Sequence, residues 1–248
     1  MDLGLTGKTA AIAAGTAGLG LGTAKALAAE GVRVVVCGRD PERLATALAE
    51  IGHGAQGFVC DVSTDAGGRE FVERAIALLG RVDILVANGG GPPPGGFADV
   101  PESEYAGALQ KNLLSVVAMC RVAVAPMRER GWGRVLAITS VAVRQPIANL
   151  ILSNTARAGV TGFLKTLARE VAADGVTVNT IQPGIHATDR MVHLYGGTPD
   201  GASLGIPAGI TGDPDDFGRI AAFMCSESSR FMTGVQLHID GGAYGALL

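Results

Sequence analysis

Hydrophobic residues in this chain form short unbroken runs that alternate with segments of helical spacing. The apolar runs lack a polar face, which predicts strands covered by helices on both sides; they occupy residues 8–14, 32–37, 55–60, 82–87, 134–139, 176–181 and 236–239. Apolar residues three and four apart predict helices at 19–30, 41–51, 65–79, 101–130, 150–173 and 215–226. Repeated βα units predict an α/β fold, a doubly wound parallel sheet of the Rossmann kind, in a single domain over residues 1–248.

The alternation breaks between residues 182 and 214, where glycine and proline recur. A long connection at the carboxyl edge of a parallel sheet predicts a substrate lid. Apolar side chains in this segment predict a small, largely hydrophobic substrate; they are Ile185, Met191, Leu194, Leu204 and Ile206.

Composition excludes several classes of partner. The net charge is −3 and the basic residues are dispersed, so no stripe is available for a nucleic-acid backbone. The four cysteines lie far apart without CxxC spacing, which favours a reducing compartment and no metal. No signal-peptide pattern and no apolar run of roughly 18 residues stands out. We therefore expect a cytoplasmic protein that binds neither membrane nor nucleic acid.

A glycine cluster, AGTAGLG at residues 14–20, joins the first predicted strand to the first predicted helix. Backbone N–H groups and the positive helix end can hold a pyrophosphate at such a place. A tight turn without a ligand is the alternative, and the position in the first βα turn favours dinucleotide binding. The predicted binding residues are Gly15, Thr16, Gly18, Leu19 and Gly20.

On this cluster the chain resembles the short-chain dehydrogenase/reductase family, which carries TGxxxGxG here. Ala13 and Ala14 replace the first two letters, and we expect Gly15 to supply the permissive backbone. Further similar motifs follow in order: Asp61-Val62, Ala87-Asn88-Gly89-Gly90 for NNAG, Lys111-Asn112, Pro183-Gly184 with Thr188 for PGxxxT, and Asp240-Gly241-Gly242. The resemblance, to the 3-oxoacyl-ACP-reductase type, covers nearly the whole chain. It implies a homotetramer built through two long helices and the final strand.

The resemblance also assigns roles to these motifs. In the family the Asp-Val pair flanks adenine, the helix asparagine holds a water near the active site, and the threonine touches the nicotinamide amide. It thus implies Asn112 in the active site and adds further cofactor-binding residues, namely Asp61, Val62, Asn88, Gly89, Pro183, Gly184 and Thr188.

The end of the second predicted strand favours NADP(H) over NAD(H). An acidic residue there would bond the ribose 2′-hydroxyl of NAD, but this strand ends in Gly38 and Arg39. Arg39 is available for a charge-assisted bond to a 2′-phosphate, although Asp40 beside it weakens the field. A solvated arginine is the alternative.

The family's catalytic tyrosine and lysine are replaced in this chain. Ser140 matches the family's serine, and the spacing then places Ser153 at the tyrosine position and Arg157 at the lysine position. A serine hydroxyl without a base does not replace the tyrosine in proton transfer, and arginine does not release a proton. Arg157 can still bind ribose hydroxyls or orient an oxyanion.

Three functions remain open. Hydride transfer to a carbonyl compound persists with Ser140 and Ser153 orienting the oxygen, and with water, His186 or another side chain carrying the proton. Alternatively the chain binds NADP without redox chemistry, as a sensor or partner subunit, or it performs a non-redox reaction. We favour the NADP(H)-dependent oxidoreductase. For His186 the alternative is a solvent-facing loop histidine.

Overall fold

The computed structural model describes residues 1–247, except for the side chains at positions 193 and 194. Seven strands form one parallel sheet in the order β3-β2-β1-β4-β5-β6-β7. They are β1 (Thr9–Ile12), β2 (Arg33–Gly38), β3 (Gln56–Val59), β4 (Ile84–Ala87), β5 (Gly133–Ile138), β6 (Val176–Pro183) and β7 (Gln236–Ile239). The predicted doubly wound parallel sheet is confirmed.

The α-helices lie on both faces of the sheet. They are α1 (Gly18–Ala29), α2 (Pro41–Ile51), α3 (Asp65–Leu79), α4 (Ser103–Leu109), α5 (Ser115–Glu129), α6 (Ile151–Val171), α7 (Asp189–Tyr195) and α8 (Pro214–Met224). A π-helical turn, Gln110–Leu114, joins α4 to α5, so the helix predicted at 101–130 is continuous but irregular in the middle.

Strand side chains alternate between two hydrophobic cores. In β1, Ala11 faces the core that includes α3, α5 and α6, whereas Ala10 and Ile12 face the core that includes α1 and α8. Because helices cover both faces, every residue of β1 and β5 is buried. This two-sided burial explains why the strands appear in the sequence as unbroken apolar runs.

Helices α1 and α8 cross in direct backbone contact. A Cβ on Gly22 would lie 2.1 Å from the carbonyl oxygen of Pro214, and a Cβ on Gly218 would lie 2.1 Å from the carbonyl oxygen of Gly22. Only glycine fits at these two positions. The contact fixes the start of α8 and the end of the predicted lid against the first helix.

The predicted lid, residues 182–214, is a loop whose two ends are joined. Ala187 N–H donates to the Gly212 carbonyl at 2.8 Å, and Gly212 N–H donates to the Ile185 carbonyl at 3.0 Å. Compact loops with adjoining ends frequently carry function. The loop contains α7 and lies at the carboxyl end of β6, as expected for a segment that covers a cleft.

One helical run corrects the sequence analysis of membrane-spanning segments. Residues Ser103–Glu129 are long and apolar enough to cross a membrane by length and composition alone. Half of its apolar window is buried, and its α5 part contributes Met119, Ala123 and Met127 to the core against the sheet. A buried core helix can have the same length and composition. The contacts of α5 with the sheet are those of a core helix.

The switch point of the sheet lies between β1 and β4. From β3 at one edge, the chain crosses to β4 on the other side of β1, so the connections after β1 and β4 diverge. In open parallel sheets a crevice forms at such a point, outside the carboxyl ends of the strands, and ligands bind there. The glycine cluster and the segment after β4 meet at this crevice.

Candidate functional site

The turn after β1 contains an alanine whose backbone lies in the left-handed region. Ala14 has φ +47°, in the left-handed region, whereas Gly15 does not adopt a positive φ. The expectation that Gly15 supplies the permissive backbone is therefore wrong. Gly15 is required for a different reason, because a Cβ there would lie 2.8 Å from Cγ1 of Val36.

Replacing Ala14 with glycine should stabilise the fold. A left-handed alanine costs roughly 1–2 kcal/mol, of which the added flexibility of the unfolded glycine chain offsets part. We expect Ala14→Gly to raise the free energy of unfolding by about 0.5–1 kcal/mol in urea denaturation. Ala13→Gly is the control and should lower it, since Ala13 is buried without a positive φ. A lower free energy of unfolding for Ala14→Gly than for the wild type would contradict the conclusion that Ala14 is strained.

The phosphate loop and the N-terminus of α1 form an open cradle. The N-cap position of α1 is Ala17, which has no side chain that could bond the first N–H groups of the helix, and the first turn holds no acidic residue. A Cβ on Gly20 would lie 2.6 Å from the Ala14 carbonyl oxygen and 2.7 Å from Nδ2 of Asn88. Free N–H groups at a positive helix end are suited to a pyrophosphate. Leu19, which packs partly buried on the core, anchors the helix below them.

The neighbouring segment after β4 leaves room beside the cradle. Asn88 donates from Nδ2 to the Ala14 carbonyl at 3.2 Å and so joins the two loops. Gly89 and Gly90 have no atom within 4 Å of an added Cβ, so open space lies next to both. Thr188, at the start of α7, contacts the loop from above: a Cβ on Gly18 would lie 3.1 Å from its Cγ2. These residues fit a dinucleotide.

The end of β2 leaves little room for an acidic side chain unless Thr16 moves. A Cβ on Gly38 would lie 2.6 Å from Oγ1 of Thr16, so Thr16 occupies the place where an NAD-type carboxylate would begin. Arg39 is exposed. The carboxylate of Asp40 accepts N–H bonds from Glu42 and Arg43 at 2.9 and 3.1 Å, which commits that charge to the N-terminus of α2.

Two other predicted cofactor motifs are structured by the fold. Asp61 accepts the Ser63 N–H at 3.0 Å in the turn after β3, and Val62 is buried in the core. At the end of β6, Pro183 precedes Gly184, whose added Cβ would lie 2.7 Å from Cβ of Asp240. Gly184 therefore lets the segment around Asp240 pass close to the strand.

Asn112 lies at the centre of the π-helical turn. Its Nδ2 donates to the Gly90 carbonyl at 3.1 Å, while its buried Oδ1 has no hydrogen-bond partner among the described residues. A cavity of about 20 Å³ between β4, β5, α6 and this turn borders Asn112. That volume holds one water molecule. π-helical turns frequently mark functional sites.

Arg157 ties α6 to the end of β5. Its Nη1 donates to the carbonyl oxygens of Ile138 and Thr139 at 3.1 and 2.9 Å, and its side chain lines the same cavity as Asn112. Ser140 follows directly and accepts the Ala142 N–H at 3.1 Å. Ser153 is one helical turn before Arg157 and is buried on the same face of α6. The structure thus brings the ends of β5 and α6 together around these three residues.

The guanidinium of Arg157 stays charged at neutral pH. Burial, and to a lesser degree the positive charge of Arg190, lowers the pKa of Arg157 to about 10. An arginine has five N–H donors, and the bonds to the β5 carbonyls use Nη1 alone. In the part of the chain that the structure describes, Nε and Nη2 have no acceptor, so they are available to a ligand.

The proton-carrying role predicted for His186 is not supported. Its side chain is 3% exposed, its ring packs edge-on against Phe217 at 5.2 Å, and its Nδ1 lies 3.2 Å from the Gly184 carbonyl oxygen. The alternative of a solvent-facing histidine is wrong. His186 is a packed imidazole that joins the lid to α8 through its contact with Phe217.

His186 should make stability depend on pH. Burial lowers its pKa, against smaller opposing effects of the Gly184 carbonyl and Asp213. Below about pH 6.5 the unfolded histidine binds a proton that the folded one does not, so the free energy of unfolding falls as the pH falls. His186→Gln should flatten this decline between about pH 7 and 5 in urea unfolding. His53→Gln, at an exposed position, is the control. If the free energy of unfolding of His186→Gln declines with pH as steeply as that of the wild type, His186 is not the source of the pH dependence.

Two cationic residues near this site, Lys111 and Arg190, are not predicted as site residues from the sequence. Lys111 lines the cavity beside Asn112, and Arg190, on α7, lies against Gly91 in the segment after β4. The signal for Arg190 is only its position two residues after Thr188 in the PGxxxT motif. Its approach to Gly91 depends on how the lid folds.

The predicted apolar lid residues do not all face the crevice. Ile206 is 6% exposed and packs against Gly241, so it stabilises the loop rather than a substrate. Ile185, Met191 and Leu204 are partly exposed, and the side chain of Leu194 lies outside the described residues.

Comparisons with known proteins agree with this geometry. Residues 13–244 match the family model described as enoyl-(acyl carrier protein) reductase. The chain is 31% identical over 240 residues to the 3-oxoacyl-[acyl-carrier-protein] reductase FabG of Haemophilus influenzae, covering 97% of this chain and 99% of that protein. An Agrobacterium tumefaciens 3-oxoacyl (acyl-carrier-protein) reductase with NADP bound superposes with TM-score 0.90 at 31% identity, covering 97% of this chain and 95% of that one.

A third similar protein is a short-chain oxidoreductase of Pseudomonas aeruginosa PAO1, described as containing an atypical catalytic centre. It is 27% identical, with TM-score 0.90, and the match covers 98% of this chain and 99% of that one. A family model, a curated reductase and solved structures each match nearly the whole chain. The chain therefore belongs to the short-chain dehydrogenase/reductase family of oxidoreductases.

Proposed function

We propose that this protein is an NADP(H)-dependent oxidoreductase that interconverts a carbonyl compound and its alcohol, with a proton path that does not use the family's tyrosine. The observation that carries the proposal is the open space beside Gly89 and Gly90 with Arg157 in the wall of the adjoining cavity. We assign Ser140, which follows the strand end that Arg157 binds, and Ser153, one helical turn before Arg157, to the same site. A protein that bound no ligand would need neither the open crevice nor the polar residues beside it.

The cofactor residues divide by chemistry. The free N-terminus of α1 suits the pyrophosphate, and Arg39 suits a 2′-phosphate because Asp40 is committed to a helix cap. A similar reductase holds NADP. When bound, the nicotinamide supplies or accepts a hydride.

The inner residues orient the substrate and manage charge. The hydroxyls of Ser140 and Ser153 can donate hydrogen bonds to a carbonyl oxygen, and Arg157 can stabilise negative charge that develops there. Arg157 stays protonated, so it does not deliver the proton itself. The unpaired Oδ1 of Asn112 can hold a water in the adjoining cavity, and we assign proton delivery to such a water.

The remaining parts of the proposal concern partners and location. A small substrate with an apolar portion fits the partly exposed Ile185 and Met191 on the lid. We propose a homotetramer that acts in the cytoplasm and binds no membrane, nucleic acid or metal.

A redox-inactive, NADP-binding protein is the second candidate function. The observation that favours it is that Nη1 of Arg157 is already bound to two backbone carbonyls, as in a structural anchor. Steady-state NADPH oxidation with ketones and aldehydes separates the two functions, provided that binding is measured alongside. Turnover supports the oxidoreductase, tight binding without turnover supports the inactive protein, and absence of nucleotide binding eliminates both.

The cofactor preference is tested at Arg39. We expect Arg39→Gln to weaken NADPH binding about tenfold or more and to leave NADH binding unchanged, because only NADPH carries the 2′-phosphate. Fluorescence titration of both nucleotides measures this. Arg169→Gln, an exposed arginine in the last turn of α6, is the matched control. An equal loss for both nucleotides would contradict a 2′-phosphate contact.

A further inference from the structure

Two arginines lie beside the segment that follows β4. Arg157, on α6, lines the cavity that Gly89 also lines, and Arg190, on the lid helix α7, lies against Gly91. The Arg190 guanidinium lies so close to Gly91 that an added Cβ there would be 2.7 Å from Nη1 and 2.9 Å from Nη2. The lid arginine therefore spans the crevice and contacts the segment that follows β4.

The positive charges at this point lack a carboxylate partner. Among the charged groups of the described residues, Arg190 alone contributes to the lowered pKa of Arg157, and it carries the same sign of charge. Across the described residues, neither arginine forms an ion pair, and neither does Lys111 in the cavity wall. Asp189, the carboxylate next to Arg190 in sequence, lies 3.9 Å from Arg43 on α2.

Like charges in a partly enclosed site repel, and the repulsion strengthens as water is excluded. Such an arrangement is favourable once a ligand supplies the negative charge. Guanidinium groups bind carboxylates in a bidentate manner. The bonds to the β5 carbonyls use Nη1 and leave Arg157 three N–H groups on Nε and Nη2, of which two can bind a carboxylate and the third can face the carbonyl oxygen.

The negative charge does not come from the cofactor's phosphates. The pyrophosphate has its own site at the N-terminus of α1, and the 2′-phosphate has its own at Arg39. Arg157 instead lies beside Ser140 and Ser153, where the carbonyl group of the substrate would bind. The free anion therefore belongs to the substrate.

We propose that the substrate is an oxo acid, whose carboxylate binds between Arg157 and Arg190 while its carbonyl oxygen faces Ser140 and Ser153. This inference rests on the proposed oxidoreductase function. In the reduction, a hydride from NADPH forms the new C–H bond and a proton from water forms the O–H bond, which gives the hydroxy acid and NADP⁺. The apolar lid residues then contact the remainder of the chain.

The test compares acids with their methyl esters, which lack the negative charge and carry one additional methyl group. Pyruvate, acetoacetate and levulinate place the carboxylate at increasing distance from the carbonyl. We expect the wild type to favour at least one acid over its ester about tenfold or more in kcat/KM. Arg190→Gln should raise the KM for that acid about ten- to hundredfold and leave the ester unchanged. Arg169→Gln should change neither.

A binding measurement makes the test independent of turnover. Calorimetric titration of the three acids into the NADP⁺ complex, which cannot reduce them, should show binding that is lost in Arg190→Gln and retained in Arg169→Gln. Esters that bind or react as well as the acids would overturn the oxo-acid inference and leave the oxidoreductase intact. So would a loss of NADP⁺ affinity in Arg190→Gln with acid selectivity unchanged, which would assign Arg190 to the cofactor. Absence of nucleotide binding in the wild type would overturn the proposed function itself.

Discussion

Replacing Gly218 with alanine is expected to lower the free energy of unfolding by about 3 kcal/mol or more. The added Cβ would lie 2.1 Å from the carbonyl oxygen and 2.4 Å from the carbonyl carbon of Gly22, both of which are backbone atoms. No rotamer change relieves such a contact. Helices α1 and α8 would have to separate, which would loosen Phe217 and Ala221 in the core beneath them.

Urea denaturation of Gly218→Ala and Gly162→Ala measures this effect. Gly162 lies on the exposed face of α6, where an added Cβ meets nothing within 4 Å. There the same substitution should stabilise the protein by about 0.5–1 kcal/mol through helix propensity. If both substitutions change the free energy of unfolding by a similar small amount, helices α1 and α8 can separate at little cost. The inference that their close crossing requires glycine would then be wrong.

The fold could be predicted because its main features are local. The central strands β1, β4 and β5 are buried on both faces, and the helices mainly on one, so the two periodicities appear directly in the sequence. The last strand is predicted at 236–239 and observed at Gln236–Ile239. The contact between Gly22 and Gly218, in contrast, joins helices that are distant in sequence. No local pattern distinguishes those two glycines from Gly107 or Gly162.

The candidate site could be predicted only in part, for the same reason. Ser140, Ser153 and Arg157 follow from spacing along one strand and one helix. In the structure Arg157 bonds the carbonyl oxygen of Thr139, next to Ser140, and lies one helical turn after Ser153; the catalytic role of all three stays a prediction. The chain position of His186 predicts a proton carrier, but the surroundings of its side chain depend on the packing of α8. Arg190 reaches Gly91 through the fold of the lid, which sequence spacing does not encode.

The strained alanine illustrates a different limit. The phosphate loop could be located from its glycines, of which Gly18 is left-handed, yet Ala14 is left-handed as well, at the position where the family's motif has glycine. The backbone conformation is set by the strand, the turn and the helix together. A substitution that is locally unfavourable is tolerated because the surrounding contacts determine the turn.

Replacing Arg157 with alanine is expected to reduce kcat/KM for carbonyl reduction by about 10²–10³. The substitution removes the guanidinium that we assign to the developing negative charge on the carbonyl oxygen. It also leaves the carbonyl oxygens of Ile138 and Thr139 without their donor. Because those carbonyls lie at the end of β5, a loss of about 1–3 kcal/mol in the free energy of unfolding should accompany the kinetic effect.

Arg157→Lys separates the two roles. A lysine ammonium is a single point charge, so it can bind the β5 carbonyls or reach the crevice, but it does not do both as the planar guanidinium does. We therefore expect stability close to that of the wild type and a kcat/KM still lowered about tenfold. Urea denaturation and steady-state kinetics on the same preparations measure both quantities. If Arg157→Lys and Arg157→Ala retain full activity and lose only stability, Arg157 is a structural anchor, and the proposal that it stabilises the reacting oxygen is wrong.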